Sequence, residues 1–595
     1  MADLYIGVNV KDAQTLSLRR PGLDNAPLNT AGFLVYSVRG IDDVMVFSDF
    51  DSAKRALGGF DNNYYGMYAI KGFFDNVGSN GILFVKRLID SSSALPSSAT
   101  YQTRDTLGTA FEIKAGFRGQ VDRGTWGNNL KVNVVDEVIV LSNLAANASS
   151  GANQIQVDSI DGYEVNDIVK IDNGTNTEYF YITSIDEQNL LLTLNGNLVN
   201  SYSSPGTTIS RVRYSIYVYY VDPSNGIPSL VEQFVSLSSN PNHSRYVGDI
   251  VNNTETGSSF IVIENIDITG TYDKMPSPNI DSSFANSTSL TGGSNGNPII
   301  TGNLPSYYAT LDKYPIRFVA NVEMFGESAY EKGKEYADSM KDRVFVFNLP
   351  DLGMSSVPSF SSFDDIISWI KPKRRSVRYY SMIVKDWVNV DNPLGTALNP
   401  YKKVPIVGHL IGYMIDQILK KGVHRVPANT IESIKGIVNI SNEVIDRAKL
   451  TELVENGINV VSTISNGFYL RSSRTISLSR IERYLNTIMT LIYVKESLKG
   501  IMIPYENYPT ESLPALAEQV IKDWAKNFYE SSSNGGAEGG FGQGSFDEVF
   551  KVIVDESVNP KPQLADGIVK ALVYFVPPSS PAEKILLEVG LIDLI

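Results

Sequence analysis

The sequence predicts a multidomain α/β (α+β) protein that carries a small all-β insertion. Near the start, strand-like apolar runs alternate with a helix-like segment, which is the pattern of an α/β unit. Residues 138–212 consist of short alternating strands with turn dipeptides between them. From residue 404 onward, apolar stripes at helical spacing dominate the pattern.

The α/β unit begins at residue 31, where "AGFLVYSV" is typical of a buried strand. The segment "NYYGMYAIKGFFDN" then places four apolar residues on one helix face, and these are Tyr64, Met67, Ile70 and Phe74. The segment "GSNG" predicts a turn, and "GILFVKRL" predicts a second strand.

The insertion is predicted from hairpin chemistry. Asn173-Gly174 and Asn195-Gly196 favour the positive φ angles that tight hairpins demand. The flanking segments "LKVNVVDEV" and "RVRYSIYVYYV" are predicted to be one hairpin whose turn has been replaced by a domain. Insertions occur at exposed loop tips, so we expect this domain to point outward.

The rest of the chain continues the alternation and then becomes helical. Strands are predicted at "SFIVIENI", "IRFVANV" and "RVFVFNL", with the helix "GESAYEKGKEYADSMKD" between the last two. Further helices are predicted from Val404-Pro405 to Gly422, over 475–498, and over 513–530. The second has Ile481, Leu485, Ile488 and Ile492 on one stripe, and the third has Leu516, Val520, Trp524 and Phe528. The chain closes in strands at "FKVIVDE", "GIVKALVYFV" and "KILLEVGLI".

Composition excludes several classes of function. The 595 residues include 51 Lys and Arg against 65 Asp and Glu, a net charge of −14. This charge argues against a broad nucleic-acid-binding face. The absence of Cys excludes disulfides, thiol catalysis and zinc–thiolate sites. No apolar run is long enough to span a membrane, and the first residues lack the pattern of a secretory signal.

Candidate chemical sites are weak. His409 and Asp416 lie seven residues apart on the predicted helix, roughly 10.5 Å along its axis, too far to share a metal ion. His424 lies past the end of the predicted helix, and His243 lies in an unrelated part of the sequence. The Gly-rich "GGFGQGSFD" lacks the Lys of a phosphate loop, and the basic run "KPKRRSVR" at 371–378 is interpreted as a solvated patch or a contact for an acidic partner. We therefore expect no catalytic residue, no cofactor and no metal ion.

Five collinear segments resemble contractile tail sheath proteins. The stretch "VPIVGHLIGYMIDQILKKGVHRVPANT" is similar to the family signature, and "GINVVSTISNGFYLRSSRTIS", "RGTWGNNLKVNV", the opening unit and the segment "VDESVNPKPQLADGIVKALVYFVPPSSPAEKILLEV" are similar to its other motifs. The segment that carries G-A-R-T in the family has Ser472 and Ser473 before its Arg-Thr here. The matching positions named as the structural signature are Pro405, Gly408, His409, Gly412, Asp416, Gly422, Pro427, Asn429, Arg474 and Thr475.

The resemblance implies a structural subunit. Family members stack as hexameric rings around an inner tube and contract to drive the tube through a target envelope. Their terminal arms lend strands to neighbouring subunits. Here the strand-like terminal segments fit that role, and the arm residues are Leu4, Tyr5, Ile6, Val8, Val10, Ile585, Leu586, Leu587 and Val589. The alternative is that both ends fold back onto their own domain. The expected partners are other copies of the chain, an inner tail tube protein, and baseplate and tail terminator proteins, in a virion tail or extracellular contractile particle assembled in the host or producer cytoplasm.

The resemblance also divides the chain into segments. These are an N-terminal arm (1–30), the first part of an outer α/β domain (31–137), the β insertion (138–212), the continued outer and middle domain (213–465), an inner C-terminal α/β domain facing the tube (466–580) and a C-terminal arm (581–595). Lys522 and Lys526 share a face of the helix 513–529 and are the candidates for touching the tube; the alternative is that they are plain surface lysines. The alternatives are a tail or surface-lattice protein without contraction and an α/β enzyme; fold class alone does not decide between them.

Overall fold

The computed structural model describes residues 26–223, 225–428, 432–530 and 540–578. Its strands, in chain order, are β1 (Thr30–Val35), β2 (Met45–Phe47), β3 (Ile82–Arg87), β4 (Ser98–Gln102), β5 (Thr109–Phe117), β6 (Gln120–Val121), β7 (Leu130–Asn143), β8 (Gln154–Gln156), β9 (Ile168–Asp172), β10 (Thr177–Asp186), β11 (Leu191–Leu194), β12 (Thr208–Val221), β13 (Pro228–Leu237), β14 (Ile261–Glu264), β15 (Thr288–Ser289), β16 (Phe318–Asn321), β17 (Val344–Asn348), β18 (Ser381–Val384), β19 (Trp387–Thr396), β20 (Asn399–Pro405), β21 (Asn439–Ser441), β22 (Ile458–Asn459), β23 (Val461–Ile464), β24 (Gly467–Leu470), β25 (Phe550–Ile553) and β26 (Leu572–Phe575).

The α-helices lie mostly between the strands of the central sheet and after them. In chain order they are α1 (Phe50–Leu57), α2 (Gly66–Val77), α3 (Val247–Val251), α4 (Leu304–Ala309), α5 (Glu327–Met340), α6 (Phe363–Ile370), α7 (Val407–Lys421), α8 (Arg447–Glu455), α9 (Leu485–Met502), α10 (Leu513–Glu530), α11 (Phe546–Val549) and α12 (Lys561–Ala565). Among the described residues, no helix is both long and apolar enough to cross a membrane.

A seven-stranded sheet forms the centre of the molecule, in the order β2-β3-β1-β16-β17-β18-β22. All neighbouring strands are parallel except β2, which runs antiparallel to β3. Strands β1, β16, β17 and β18 are buried along their whole length, as expected for a parallel sheet covered on both faces. The mixed α/β architecture predicted from the alternation of strands and helices is therefore present.

The chain leaves this sheet after β3 and returns at β16. Between them, β7 and β12 pair antiparallel from Leu130↔Tyr220 to Asn143↔Thr208, which confirms that the two flanks of the insertion form one long hairpin. Strands β8 to β11 continue the same sheet, in the order β15-β7-β12-β9-β10-β11-β8. The insertion has a hydrophobic core of its own, whose fully buried members include Val157, Val169 and Leu192.

Three local predictions are wrong. Asn195-Gly196 does not form a tight hairpin: β10 and β11 are joined through residues 187–190, and Asn195 instead accepts a hydrogen bond from Tyr181 N (2.9 Å). The helix predicted from Val404-Pro405 begins at Val407, because Val404 and Pro405 still pair with β19. Strand pairing holds the backbone extended there, so a proline that would suit a helix start closes a strand instead.

The third error is the helix predicted over 475–498, which begins only at Leu485. Residues 474–484 form a loop closed by two hydrogen bonds, from Thr475 N to Arg483 O (2.8 Å) and from Thr475 Oγ1 to Glu482 O (2.9 Å). Ile481, expected on the buried stripe, is 56% exposed. Tertiary hydrogen bonds to this loop outweigh its helical apolar spacing.

Candidate functional site

The signature glycines lie where two helices cross at close range. A Cβ atom added at Gly408 would be 2.3 Å from the carbonyl oxygen of Ala69, and one added at Gly412 would be 2.3 Å from that of Phe73. Both contacts are with the backbone of α2, which cannot move aside as a side chain can. The spacing of four residues puts both glycines on the same face of α7. Glycine is therefore required here for the approach of two backbones.

His409, the residue after Gly408, also packs against α2. Its ring lies against Gly72 of α2, where an added Cβ would be 2.3 Å from Nδ1. The side chain is 2% exposed, and burial lowers the pKa of His409 to about 4, so the ring is neutral at pH 7. In the described part of the chain, no group of three or more His, Asp or Glu side chains is placed to hold a metal ion. The arrangement is that of a packing residue.

The remainder of the signature helix has local structural contacts. Asp416 forms an i,i+4 ion pair with Lys420 (2.7 Å), and Gly422 ends the helix with a φ of +89°. His424 follows it, and its carbonyl accepts a hydrogen bond from Asn486 Nδ2 (2.9 Å), which ties the end of α7 to α9. Pro427 is buried. Asn429 lies outside the described residues.

Arg474 belongs to a buried hydrogen-bond network around Asn459, and Thr475, beside it, closes the loop 474–484. The amide Nδ2 of Asn459 donates to Ile383 O (2.9 Å) and Arg474 O (2.8 Å). Its Oδ1 accepts from Arg474 N (2.7 Å) and from Ser472 Oγ (3.0 Å). These bonds attach the loop 474–484 to β18 and β22 at the edge of the central sheet. The hydroxyl of Ser472, at the position where the sequence departs from the family motif, takes part in the network.

Glu323 is an important residue that sequence reasoning missed. In parallel α/β sheets, ligands bind beyond the carboxyl ends of the strands, where consecutive crossovers leave in opposite directions. Here that point lies between β1 and β16, and the carboxyl group of Glu323 occupies it. The carboxyl oxygens accept hydrogen bonds from the backbone N–H groups of Gly66 (2.7 Å), Tyr65 (3.1 Å) and Tyr36 (3.3 Å).

This placement has a chemical consequence. The N-terminus of α2, which would be a ready anion site in a nucleotide-binding fold, is already capped by a side chain of the protein itself. Burial raises the pKa of Glu323 to about 8, although the backbone hydrogen bonds oppose the shift. The sequence signal was an acid two residues after the strand-like run "FVAN". Such a self-filled switch point argues against an α/β enzyme that binds phosphates there.

Lys522 and Lys526, the candidates for contact with a tube, are exposed on α10. Each has a carboxylate partner on the same helix: Lys522 Nζ lies 2.6 Å from Glu518, and Lys526 Nζ lies 3.9 Å from Glu530. The buried face of the helix holds Trp524 and Phe528, as the apolar stripe predicted. The surface offered by these lysines is therefore one of mixed charge, and their contact with a tube stays a prediction.

The final described strands form an open hairpin. Strands β25 and β26 pair antiparallel, from Phe550↔Phe575 to Ile553↔Leu572, and within the described ranges neither strand has a second partner. Apolar side chains on and beside β26 reach solvent, with Tyr574 55% and Val576 42% exposed. The arm residues, Leu4, Tyr5, Ile6, Val8, Val10, Ile585, Leu586, Leu587 and Val589, lie outside the described residues.

Comparisons with known proteins give structural matches only. No family model matches the sequence, and no curated protein matches it. A sheath tail protein from Listeria innocua matches over 90% of this chain and 89% of its own, at 10% identity and a TM-score of 0.49. Two contracted sheaths match over 50% of this chain, each at 16% identity and a TM-score of 0.38. One is the sheath of an extracellular contractile injection system (PVC), matched over 77% of its own chain. The other is the helical sheath of the anti-feeding prophage, matched over 76% of its own chain. All three solved proteins are sheaths of tails or injection systems, and the present chain is similar to them in structure.

Proposed function

We propose that this chain is the structural subunit of a contractile tail sheath. Copies polymerise as stacked hexameric rings around an inner tail tube, and the sheath contracts to drive the tube through a target cell envelope. The subunit works in a virion tail or an extracellular contractile particle, with a baseplate at one end and a terminator at the other. It has no catalytic role in this proposal.

The observation that carries the proposal is the open hairpin of β25 and β26. Strand β25 packs against α10 and buries Phe550 and Val552, but an exposed sheet edge invites pairing with another chain. Strands from neighbouring copies would cover this edge, because backbone hydrogen bonds supply affinity and alternate side chains set the register. The arms 1–30 and 581–595 each contain an apolar run of suitable length.

The signature residues support the proposal in a different way. Their contacts hold α7 against α2 and the loop 474–484 against the central sheet, so their role is to keep the subunit rigid. A subunit that moves as one body while its arms stay paired can slide and rotate relative to its neighbours without detaching. Polymerisation then traps a long-lived extended state, whose stability is set by a rate. Contraction releases energy by burying additional surface between subunits, at about 25 cal/mol per apolar Å².

Electron microscopy of the purified full chain tests the proposal. We expect helical tubes or cogwheel rings from the natural sequence. Val8→Asp combined with Val10→Asp puts charges into the arm and prevents polymerisation, whereas Thr15→Asp combined with Ser17→Asp adds the same charge nearby and leaves it intact. Flat lattices would favour a non-contractile lattice protein. Discrete monomers with catalytic turnover would favour the enzyme and refute the proposal.

A further inference from the structure

The charge of this chain is unevenly distributed. Residues 90–300 contain 22 Asp and Glu and 10 Lys and Arg, a net charge of −12 out of −14 for the whole chain. Several of these acids are exposed and form no ion pair among the described residues, including Asp161, Asp186, Glu187, Asp249 and Glu255. The rest of the chain is almost neutral in sum, and it contains the densest cluster of cations, the run 371–378.

The fold enlarges this cationic cluster with a second segment. The loop 474–484 lies on the basic run: Leu478 N donates to Arg375 O (2.9 Å), and Ser477 Oγ donates to Val377 O (2.8 Å). Arg480 and Arg483, which are about 105 residues away in sequence, are thereby brought beside the run.

These cations are only partly neutralised. Arg378 pairs with Glu482 (2.8 Å), while Arg375 and Arg480 contact no carboxylate in the described part of the chain, and the guanidinium of Arg375 donates only to backbone carbonyls of its own turn. Burial lowers the pKa of Arg374 beneath them, and the nearby positive charge of Arg483 lowers it further. The segment thus holds positive charge in excess.

Apolar side chains lie among the arginines. Val377 is 51%, Leu478 46% and Ile481 56% exposed. Protein interfaces combine arginine with apolar contacts, and three exposed branched residues beside these arginines match that composition. The arginine patch is defined by Arg375, Arg378, Arg480 and Arg483 together with these three apolar residues.

We infer that the arginine patch docks on the acidic surface formed by residues 90–300 of a second copy of this chain. We choose a second copy as the partner because this one polypeptide carries both the arginine patch and, in residues 90–300, an excess of negative charge. Such a contact joins two different surfaces head to tail, which generates rings or helical polymers rather than two-fold dimers. A nucleic acid fits less well, since the patch is small, lacks aromatic residues for stacking and belongs to an acidic protein.

The inference rests on the proposed self-assembly and is tested by charge reversal. Arg375→Glu with Arg480→Glu raises the protein concentration needed for polymerisation about tenfold, because several surface ion pairs are lost per contact. Lys54→Glu with Arg55→Glu changes the net charge equally on an exposed helix elsewhere and leaves that concentration unchanged. The natural chain loses polymer steeply as salt increases, and the patch variant does so less steeply.

Cross-linking identifies the partner surface. Arg375→Lys with Arg480→Lys keeps the charge and supplies amines that a carbodiimide joins to touching carboxylates. In polymers mixed from isotopically light and heavy copies, we expect links between copies that lead from these lysines to acids within 90–300. Links to acids elsewhere, or polymerisation of the reversed variant at the natural concentration, would overturn the inference and leave the proposed function standing. A natural chain that never polymerises would overturn both.

Discussion

Gly412→Ala tests whether the signature is a packing motif. The added Cβ would lie 2.3 Å from Phe73 O and 2.9 Å from the Cα and carbonyl carbon of the same residue. These distances are about an ångström shorter than ordinary contacts, so α7 and α2 must separate. A gap of that size along a helix pair removes roughly a quarter to a half of the attraction of each facing atom pair.

We expect Gly412→Ala to lower the free energy of unfolding by about 3 kcal/mol. This value is at the upper end for overpacking of a core, because the added methyl group displaces backbone rather than a side chain. For a cooperative unit of roughly 200 residues, this lowers the melting temperature by about 6–12 °C. Differential scanning calorimetry measures the shift, and Gly408→Ala gives a shift of similar size because its Cβ would meet Ala69 O at the same distance.

Gly302→Ala is the matched control, since its Cβ would have only one neighbour within 4 Å, Ile300 Cδ1 at 3.8 Å. Its melting temperature is expected to remain that of the natural chain. If Gly412→Ala melted together with this control, the close approach of the two helices would not be what the signature glycine serves, and the interpretation of the motif would be refuted.

Two further predictions concern buried polar groups. Because the pKa of Glu323 is raised to about 8, the folded chain holds a proton that the unfolded chain releases near the ordinary pKa of 4.5. The contribution of this protonated group to the free energy of unfolding is therefore complete below pH 4.5 and declines as the pH rises to 8. Glu323→Gln keeps an acceptor for the same N–H groups and removes this decline, which urea denaturation at pH 5 and pH 8 measures; an equal decline in the variant would assign it to other groups. Asn459→Ala removes four buried hydrogen bonds and lowers the free energy of unfolding by about 3 kcal/mol or more. Asn439→Ala, on an exposed residue with one amide contact to Asn389 (2.7 Å), serves as its control, and equal losses in the two variants would contradict the role of the network.

Local sequence patterns predicted much of the fold, because the spacing of apolar residues determines which face of a strand or helix is buried. The hairpin that carries the insertion was predictable from its two strand-like flanks, and α10 from its apolar stripe. The loop 474–484 was not, since its apolar spacing fits a helix and the hydrogen bonds that hold it come from residues such as Asn459. Propensity is a weak signal that tertiary contacts override.

In the candidate site, too, local motifs were predictable and contacts between distant segments were not. The glycines and His409 were found by motif, but their shared contact with α2, more than 330 residues earlier, is a property of the folded chain. Glu323 was missed because its partners are backbone N–H groups at the start of α2, and no side-chain pattern announces them. The basic run was found, whereas the arginines that complete it come from a segment assigned to a helix.

The long pair of strands that carries the insertion makes it an exchangeable cassette. The chain enters it at Asn143 and returns at Thr208, two residues that face each other across the β7–β12 ladder and so lie about 5 Å apart. Any module whose ends are equally close, a short turn included, could be grafted between these positions while the ladder below keeps its register. The inserted domain could thus be replaced without changing the residues of the central sheet or their contacts.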